Sequence, residues 1–289
     1  MLNEYSHLKT VAVRHPREAF SGHTSSCDIW EKLDWLERPD MEAAQVEFDI
    51  FTDILRKSGA EVIMQPAGQG LSPDALYVRD ATLITPRGII ECNMGKPARR
   101  TEPAIAGEIY RPLGHDVIGV IEAPGTIEGG DVIWIDDKTL VVGAGYRTNS
   151  SGIEQLKTIL GSDVEVITVD LPHWNGPRDV FHLMSMISPL DKDLALIYPR
   201  PMPVSFIHWL QVRGISLIHV PDEEYDTMGC NVLALGPRKI LALDGNPKTR
   251  KVLEDAGCDV ITYSGTEISA KGCGGPTCLT RPLLRKSGL

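Results

Sequence analysis

One plan recurs along this chain: an apolar strand, a tight polar turn, a second apolar strand, a helix and, in most units, one further short strand. The hairpins read as Leu76–Ile90 turning at residues 85–88, Asp131–Val142 turning at 136–138, Leu183–Tyr198 turning at 189–193 and Val232–Leu243 turning at 236–239. Helical segments follow at Met41–Ser58, Ser151–Leu160, Val204–Val212 and Pro247–Ala256. In the first of these, Ala44, Phe48, Phe51 and Leu55 share one side. Short strands follow at Glu61–Met64, Val164–Val169, Ser216–Val220 and Asp259–Tyr263. A strand at Thr10–Arg14 begins the first unit, which an insertion over Glu18–Pro39 lengthens.

The register of the repeat is its strongest constraint. The polar residues that open the successive hairpins are Asp80, Asp131, His182, Asn231 and Cys278, spaced about 50 residues apart. A unit of that size cannot bury its own core, so the units must stack or close into a ring. Circular closure of five units predicts an α/β propeller with the opening residues gathered at its centre. Charged groups gathered there serve no purpose in a ring built only for stability, because burying them unpaired is costly.

Composition narrows the partners. The 289 residues carry a net charge of −10, which excludes the basic footprint of a nucleic-acid binder. No apolar run approaches the roughly 20 residues of a membrane span, and the first residues lack a signal-peptide pattern. Six cysteines at 27, 92, 230, 258, 273 and 278 show no pairing pattern and read as reduced thiols of a cytoplasmic protein. Cys273 and Cys278 resemble half a zinc site, but no second Cys/His pair has matching spacing, so neither metal nor cofactor is expected.

The opening residues can do chemistry together. Cys278 ends the small-residue loop Lys271-Gly-Cys-Gly-Gly-Pro-Thr-Cys278, where glycines let a substrate approach the backbone. Taken alone, that loop also fits a buried structural cysteine. A thiol beside His182 would form a nucleophile and acid/base pair. Glu128, in Glu128-Gly-Gly-Asp131, is a candidate to orient His182, though the same run also fits an ordinary capped turn. Asp80 sits where a carboxylate is awkward unless it meets a cation. Arg99, Arg100 and Arg147 offer guanidinium forks for a carboxylate. Acid at the centre and arginines at the rim describe a small zwitterion with a cationic far end.

Six motifs stand in the same order in a known group of enzymes: residues 74–80 (Asp-Ala-Leu-Tyr-Val-Arg-Asp), 96–100 (Lys-Pro-Ala-Arg-Arg), 128–131, 146–149 (Tyr-Arg-Thr-Asn), His182-Leu183 and 274–278. The chain resembles the guanidino-modifying enzymes, in particular the dimethylarginine dimethylaminohydrolase branch, with arginine deiminases and amidinotransferases as relatives. The resemblance implies the pentein fold, a five-bladed α/β propeller of pseudo-fivefold ββαβ repeats, with residues 1–289 forming a single catalytic domain. It implies Cys278 as nucleophile, His182 as general acid/base and Glu128 as its orienting carboxylate. Asp80 would hold the guanidinium, with Asp74 and Asp131 as further substrate-side acids. Arg147 and one arginine of the 99–100 pair would hold an α-carboxylate.

Two positions depart from the wider pattern. Many deiminases and amidinotransferases carry His-x-Asp, where this chain has Met184; this favours N-substituted arginines over plain arginine. Arg79 precedes Asp80 as in deiminases, where some dimethylarginine hydrolases have an acid. The expected activity is hydrolysis of a guanidino C–N bond through a thiouronium, without metal or cofactor. The expected partner is a small guanidino molecule, with no nucleic acid or membrane, and self-association is left open. The alternatives are amidino transfer to an amine and a non-catalytic, partner-binding propeller.

Overall fold

The computed structural model describes residues 2–23, 28–179 and 181–286. Fifteen strands among them form five three-stranded sheets, and every sheet follows one plan. The first unit contains β1 (His7–Val13), the helix Met41–Lys57 and β2 (Glu61–Met64), which lies parallel to β1. The second has β3 (Thr82–Thr85) antiparallel to β4 (Gly88–Glu91), the helix Glu102–Tyr110 and β5 (Val117–Val120) parallel to β4. The third repeats this with β6 (Val132–Asp136), β7 (Thr139–Ala144), the helix Ser150–Leu160 and β8 (Glu165–Asp170). The fourth uses β9 (Ile187–Asp191), β10 (Leu194–Ile197), the helix Val204–Val212 and β11 (Ser216–His219). The fifth uses β12 (Leu233–Gly236), β13 (Lys239–Leu243), the helix Pro247–Asp255 and β14 (Asp259–Tyr263). The last strand, β15 (Arg281–Lys286), returns to pair antiparallel with β1 and completes the first sheet. The ring is the expected five-bladed α/β propeller.

Alternation along the strands explains why the ring must close. Successive side chains point to opposite faces, and here each face belongs to a different interface. Val132 and Trp134 join Leu83 and Ile90 in the cluster between the second and third sheets. Ile133, between them, joins Ile187 and Ile197 on the other side. Leu233 and Leu235 pack toward the first sheet, whereas Val232 and Ala234 pack toward the fourth. Ala12 with Ile84, Ile89 and Leu283 fills the last interface. Strands buried on both faces read as near-continuous apolar runs, as these do.

Three boundaries differ from the sequence expectation. β1 is the middle strand of its sheet and does not begin it; the beginning is β15, from the other end of the chain. Residues 76–81 are not strand: a 3-10 turn at Pro73–Leu76 leads into a loop that delivers Asp80. A 3-10 turn at Leu183–Ser185 likewise precedes β9. The helix Glu102–Tyr110 and strand β5 were absent from the pattern because this helix is short and its buried side carries Glu102, Pro103 and Gly107 in place of large apolar residues.

Inside the 18–39 insertion, Phe20, Trp30 and Trp35 form an edge-to-face aromatic cluster. Residues 24–27, including Cys27, lie outside the described residues. No described helix is long and apolar enough to cross a membrane.

Phe51 is fully buried and meets Tyr263 at a ring-centroid distance of 5.0 Å, joining the first unit to the fifth. Phe51→Ala should lower unfolding free energy by about 3–5 kcal/mol in denaturant titration. A loss below about 1 kcal/mol would show that the ring does not depend on this interface.

Candidate active site

The strand-opening residues converge as the repeat requires. Ligand atoms of Asp80, Glu128 and His182, from three units, all lie within 4.8 Å of one another and are buried. His182, at the end of a loop, is held by its backbone: its N–H donates to Ser185 Oγ at 3.0 Å, and the next N–H, of Leu183, donates to Asp131 Oδ1 at 2.9 Å. Its ring Nε2 meets Glu128 Oε2 at 2.8 Å. The turn 129–131 brings the Gly130 N–H to Asp80 Oδ1 at 2.9 Å. Glycine is required there: a Cβ on residue 130 would lie 2.5 Å from His182 Nδ1 and 2.9 Å from Asp80 Oδ1.

Cys278 follows the Gly-rich loop and accepts a hydrogen bond on Sγ from Asn231 Nδ2 at 3.2 Å. Asn231, the fifth opening residue, also accepts from the Thr277 N–H at 3.1 Å, so it fixes both the thiol and the loop that carries it. Cys278 and His182 line two adjoining chambers. The outer one, about 290 Å³, is walled by Trp174, Phe181, Met184 and Tyr225, with Asp179 and Asp226. The inner one is lined by Asp74, Asp80, Lys96, Arg99 and Arg147. Leu33, Asp34 and Leu36 of the insertion form part of these walls.

Electrostatics sets the resting protonation. Burial alone would lower the His182 pKa, but the charges of Asp131 and Asp80 and the bond to Glu128 push it up to about 9. Glu128 moves the opposite way: burial would raise it, and His182 and Arg147 overcome that and hold it ionised. Burial pushes Asp131 up to about 6 against the pull of His182. Burial and Asp80 raise the Cys278 thiol to about 11, although Asn231 and Arg79 act to lower it. At neutral pH the centre therefore holds a neutral thiol and an imidazolium.

The other expected residues take distinct places. Arg99 is buried between Asp80 (2.5 Å) and Glu102 (2.8 Å), yet still lines the inner chamber. Arg147 Nη1 lies 3.4 Å from Glu128 Oε2. Asp74 is paired with Lys96 at 2.6 Å and accepts from Trp35 Nε1 at 2.8 Å. Two assignments need correction. Arg100 is exposed and lines neither chamber, because the 3-10 turn Pro97–Arg99 sends Arg99 inward and the next residue outward. Asp131 is fully buried behind the site, where its carboxylate positions the His182 segment rather than facing a ligand.

Lys96, Asn231 and the aromatic wall were not among the expected site residues. Asn231 was visible as an opening residue of the repeat, whereas Trp174, Phe181 and Tyr225 carry no signal of spacing.

Asp80, Glu128 and His182 are the one cluster with metal-ligand proximity among the described residues. Their donor atoms already bond to Arg99, Gly130 and one another, so the cluster is satisfied by partners within the protein.

Comparison with known proteins gives the family. Residues 20–285 match the family model described as "N,N dimethylarginine dimethylhydrolase, eukaryotic". The chain belongs to the dimethylarginine dimethylaminohydrolase family. A family member from Streptomyces coelicolor is 31% identical over 249 residues, covering 84% of this chain and 87% of the relative. The solved dimethylarginine dimethylaminohydrolase of Pseudomonas aeruginosa, in complex with citrulline, has a TM-score of 0.75 at 26% identity and covers 95% of this chain and 98% of that one. An amidinotransferase from Microseira wollei shares the fold, with a TM-score of 0.78 at 18% identity, covering 100% of this chain and 98% of that one. Membership of the dimethylarginine dimethylaminohydrolase family makes this chain a hydrolase of the guanidino-modifying superfamily.

Gly130→Ala should leave the fold intact and cut turnover at least about a hundredfold, because the new methyl displaces the His182 ring, and misplacement of about 1 Å costs that much. Near-normal kcat in a folded variant would contradict the packing.

Because the folded His182 pKa lies above its unfolded value, its stabilising contribution is complete below about pH 6.5 and is lost as pH rises through about 9. Urea titrations between pH 6 and 10 should show a fall in stability that is smaller in His182→Asn. Parallel profiles for the two proteins would show that the pair does not couple to folding.

Proposed function

We propose that the protein hydrolyses the C–N bond of an arginine-type guanidinium, with N-methylated arginines as the preferred class and citrulline plus an amine as products. The observation that carries this reading is a half-buried thiol that shares a chamber with a carboxylate-held histidine, where the inner wall carries both acids and guanidinium forks.

A neutral thiol with a pKa near 11 is a poor nucleophile at pH 7. A guanidinium placed beside it adds a positive charge, which favours the thiolate. The substrate itself thus activates Cys278, whose proton passes to solvent because His182 is already protonated. The thiolate attacks the guanidinium carbon, and the C–N bond breaks as the His182 imidazolium gives its proton to the departing amine. The result is a covalent S-alkyl thiouronium and a neutral imidazole. His182 then takes a proton from water, whose oxygen attacks the same carbon. The C–S bond breaks as the hydroxyl proton of the tetrahedral adduct passes to the sulfur, so the thiol and the imidazolium are both restored and the ureido product leaves.

Nε2 is occupied by Glu128, so Nδ1 is the nitrogen left to carry this proton. Glu128 is a positioning residue that keeps the imidazolium and its orientation. Asp80 faces the guanidinium, while Arg147 and Arg99 offer forks for an α-carboxylate. Met184 and the aromatic wall leave apolar space that suits N-substituents better than a second carboxylate would. A cytoplasmic location is part of this reading and fits the five unpaired cysteines among the described residues.

The test is to supply arginine, monomethylarginine, dimethylarginine and agmatine and to measure ureido product and released amine. Citrulline should form, with kcat/KM highest for a methylated arginine. Cys278→Ser should lose at least about a thousandfold in kcat, and Cys273→Ser should remain active. Turnover in Cys278→Ser would sink the nucleophile assignment. Amidine transfer that requires an added amine would replace hydrolysis by the transferase reaction. Saturable binding of a macromolecule without turnover of any guanidine would overturn the enzymatic reading.

A further inference from the structure

A second cavity, about 590 Å³, opens at the other end of the ring. Its position follows from the strands. Asp80 stands before β3 at the thiol end, whereas Pro86 and Arg87, in the turn after β3, line this cavity. Arg281 begins β15 three residues after Cys278, and Arg285 lies near that strand's far end. Arg79 lines both this cavity and the outer chamber of the active site, and so forms the wall between them.

The charge at this wall is unbalanced. Arg79, Arg281 and Arg285 are only 2%, 5% and 3% exposed. Among the described residues Glu4 is the one carboxylate buried with them, and it bonds Arg79 Nη2 at 2.9 Å. Asp137, also on the lining, accepts from the Leu2 N–H. Arg281 Nη2 donates to the Arg79 carbonyl. Arg285 Nη1 donates to the carbonyls of Ser6 (2.6 Å) and Ala234 (2.8 Å). Nε of all three arginines and Nη2 of Arg285 are buried without a protein hydrogen-bond partner among the described residues.

Three guanidiniums against one carboxylate leave two buried positive charges, and uncompensated buried charge is strongly destabilising. Burial pushes Arg281 and Arg285 down to about 10, which still leaves both cationic at neutral pH. Glu4 is held below its usual range, since the three arginines overcome its burial. Unused N–H groups on planar forks match oxygen pairs, as in phosphate recognition.

We propose that this cavity binds a small oxyanion of the phosphate class, gripped by Arg79, Arg281 and Arg285 beneath the active site. Two negative charges on a phosphate dianion would balance the two excess positive ones. The cavity volume admits either free phosphate or a small phosphomonoester.

Calorimetric titration with inorganic phosphate, at ionic strength fixed with chloride, tests the site, and glycerol phosphate in a second titration distinguishes free from esterified ligand. Wild type should bind at least one of the two saturably. Arg285→Gln should weaken that binding at least tenfold. Glu4→Gln, which removes the competing carboxylate, should tighten it at least threefold and decides the matter if Arg285→Gln does not fold. Cys278→Ser should bind as wild type does, so the result stands apart from the proposed reaction. Absence of saturable binding of either ligand, equal affinity in a folded Arg285→Gln, or unchanged or weaker binding by Glu4→Gln would overturn the site.

Discussion

The pairing of β15 with β1 is the contact on which the rest of this structure depends. It joins the two ends of the chain, and it turns five units that cannot bury their own strands into a ring in which the paired antiparallel strands are largely buried on both faces. The same pairing fixes the thiol. Cys278 lies three residues before β15, so the strand that closes the ring carries this thiol, the proposed nucleophile, into the chamber shared with His182 and Asp80. Stability and chemistry therefore share one element. Loss of that pairing would expose the apolar faces on both sides of the first sheet and would also release the loop that holds Sγ.

Closure gathers charge as well as apolar surface. Asp80, Glu128, Asp131 and His182 are all at least 95% buried, a costly arrangement unless each has a partner. The partners are present: Arg99 and Gly130 for Asp80, Arg147 and His182 for Glu128, and the Leu183 N–H for Asp131. This network holds a proton on His182 and leaves the Cys278 thiol neutral, the opposite of a preformed thiolate–imidazolium pair. Under the proposed mechanism, a site in this state stays unreactive until a cation enters it. That property suits a cysteine that must react with guanidinium carbons and otherwise stay intact.

The ring was legible in the sequence because its signal is long-range and periodic. The opening residues at 80, 131, 182, 231 and 278 mark where strands enter the centre, and three of the four helices that follow the hairpins matched within about one residue. The helix Glu102–Tyr110 escaped because its buried residues include Glu102, which serves Arg99 and not an apolar core. Strand order in the first unit escaped because β15 and β1 lie at opposite ends of the chain, and no local pattern shows that a last strand precedes a first. Motif order singled out Cys278 and His182, which line one chamber, and Glu128, which bonds His182. Arg100 and Arg99 were indistinguishable until the turn at residues 97–99 separated their directions, and Asp131 looked like a ligand-facing acid until its bond to Leu183 was seen. The three arginines at the far end of the ring gave no signal, since 79, 281 and 285 meet only through closure.

The central claim is that Cys278 becomes covalently attached to the guanidinium carbon. Rapid acid quenching of the enzyme during turnover of a methylated arginine, followed by peptide mass analysis, tests it directly. The account predicts a thiouronium adduct on the Cys278 peptide that appears within one turnover, decays as citrulline accumulates and is absent from Cys278→Ser. Product formation at the full rate with no adduct on that peptide, under conditions that preserve a synthetic S-alkyl thiouronium standard, would contradict it.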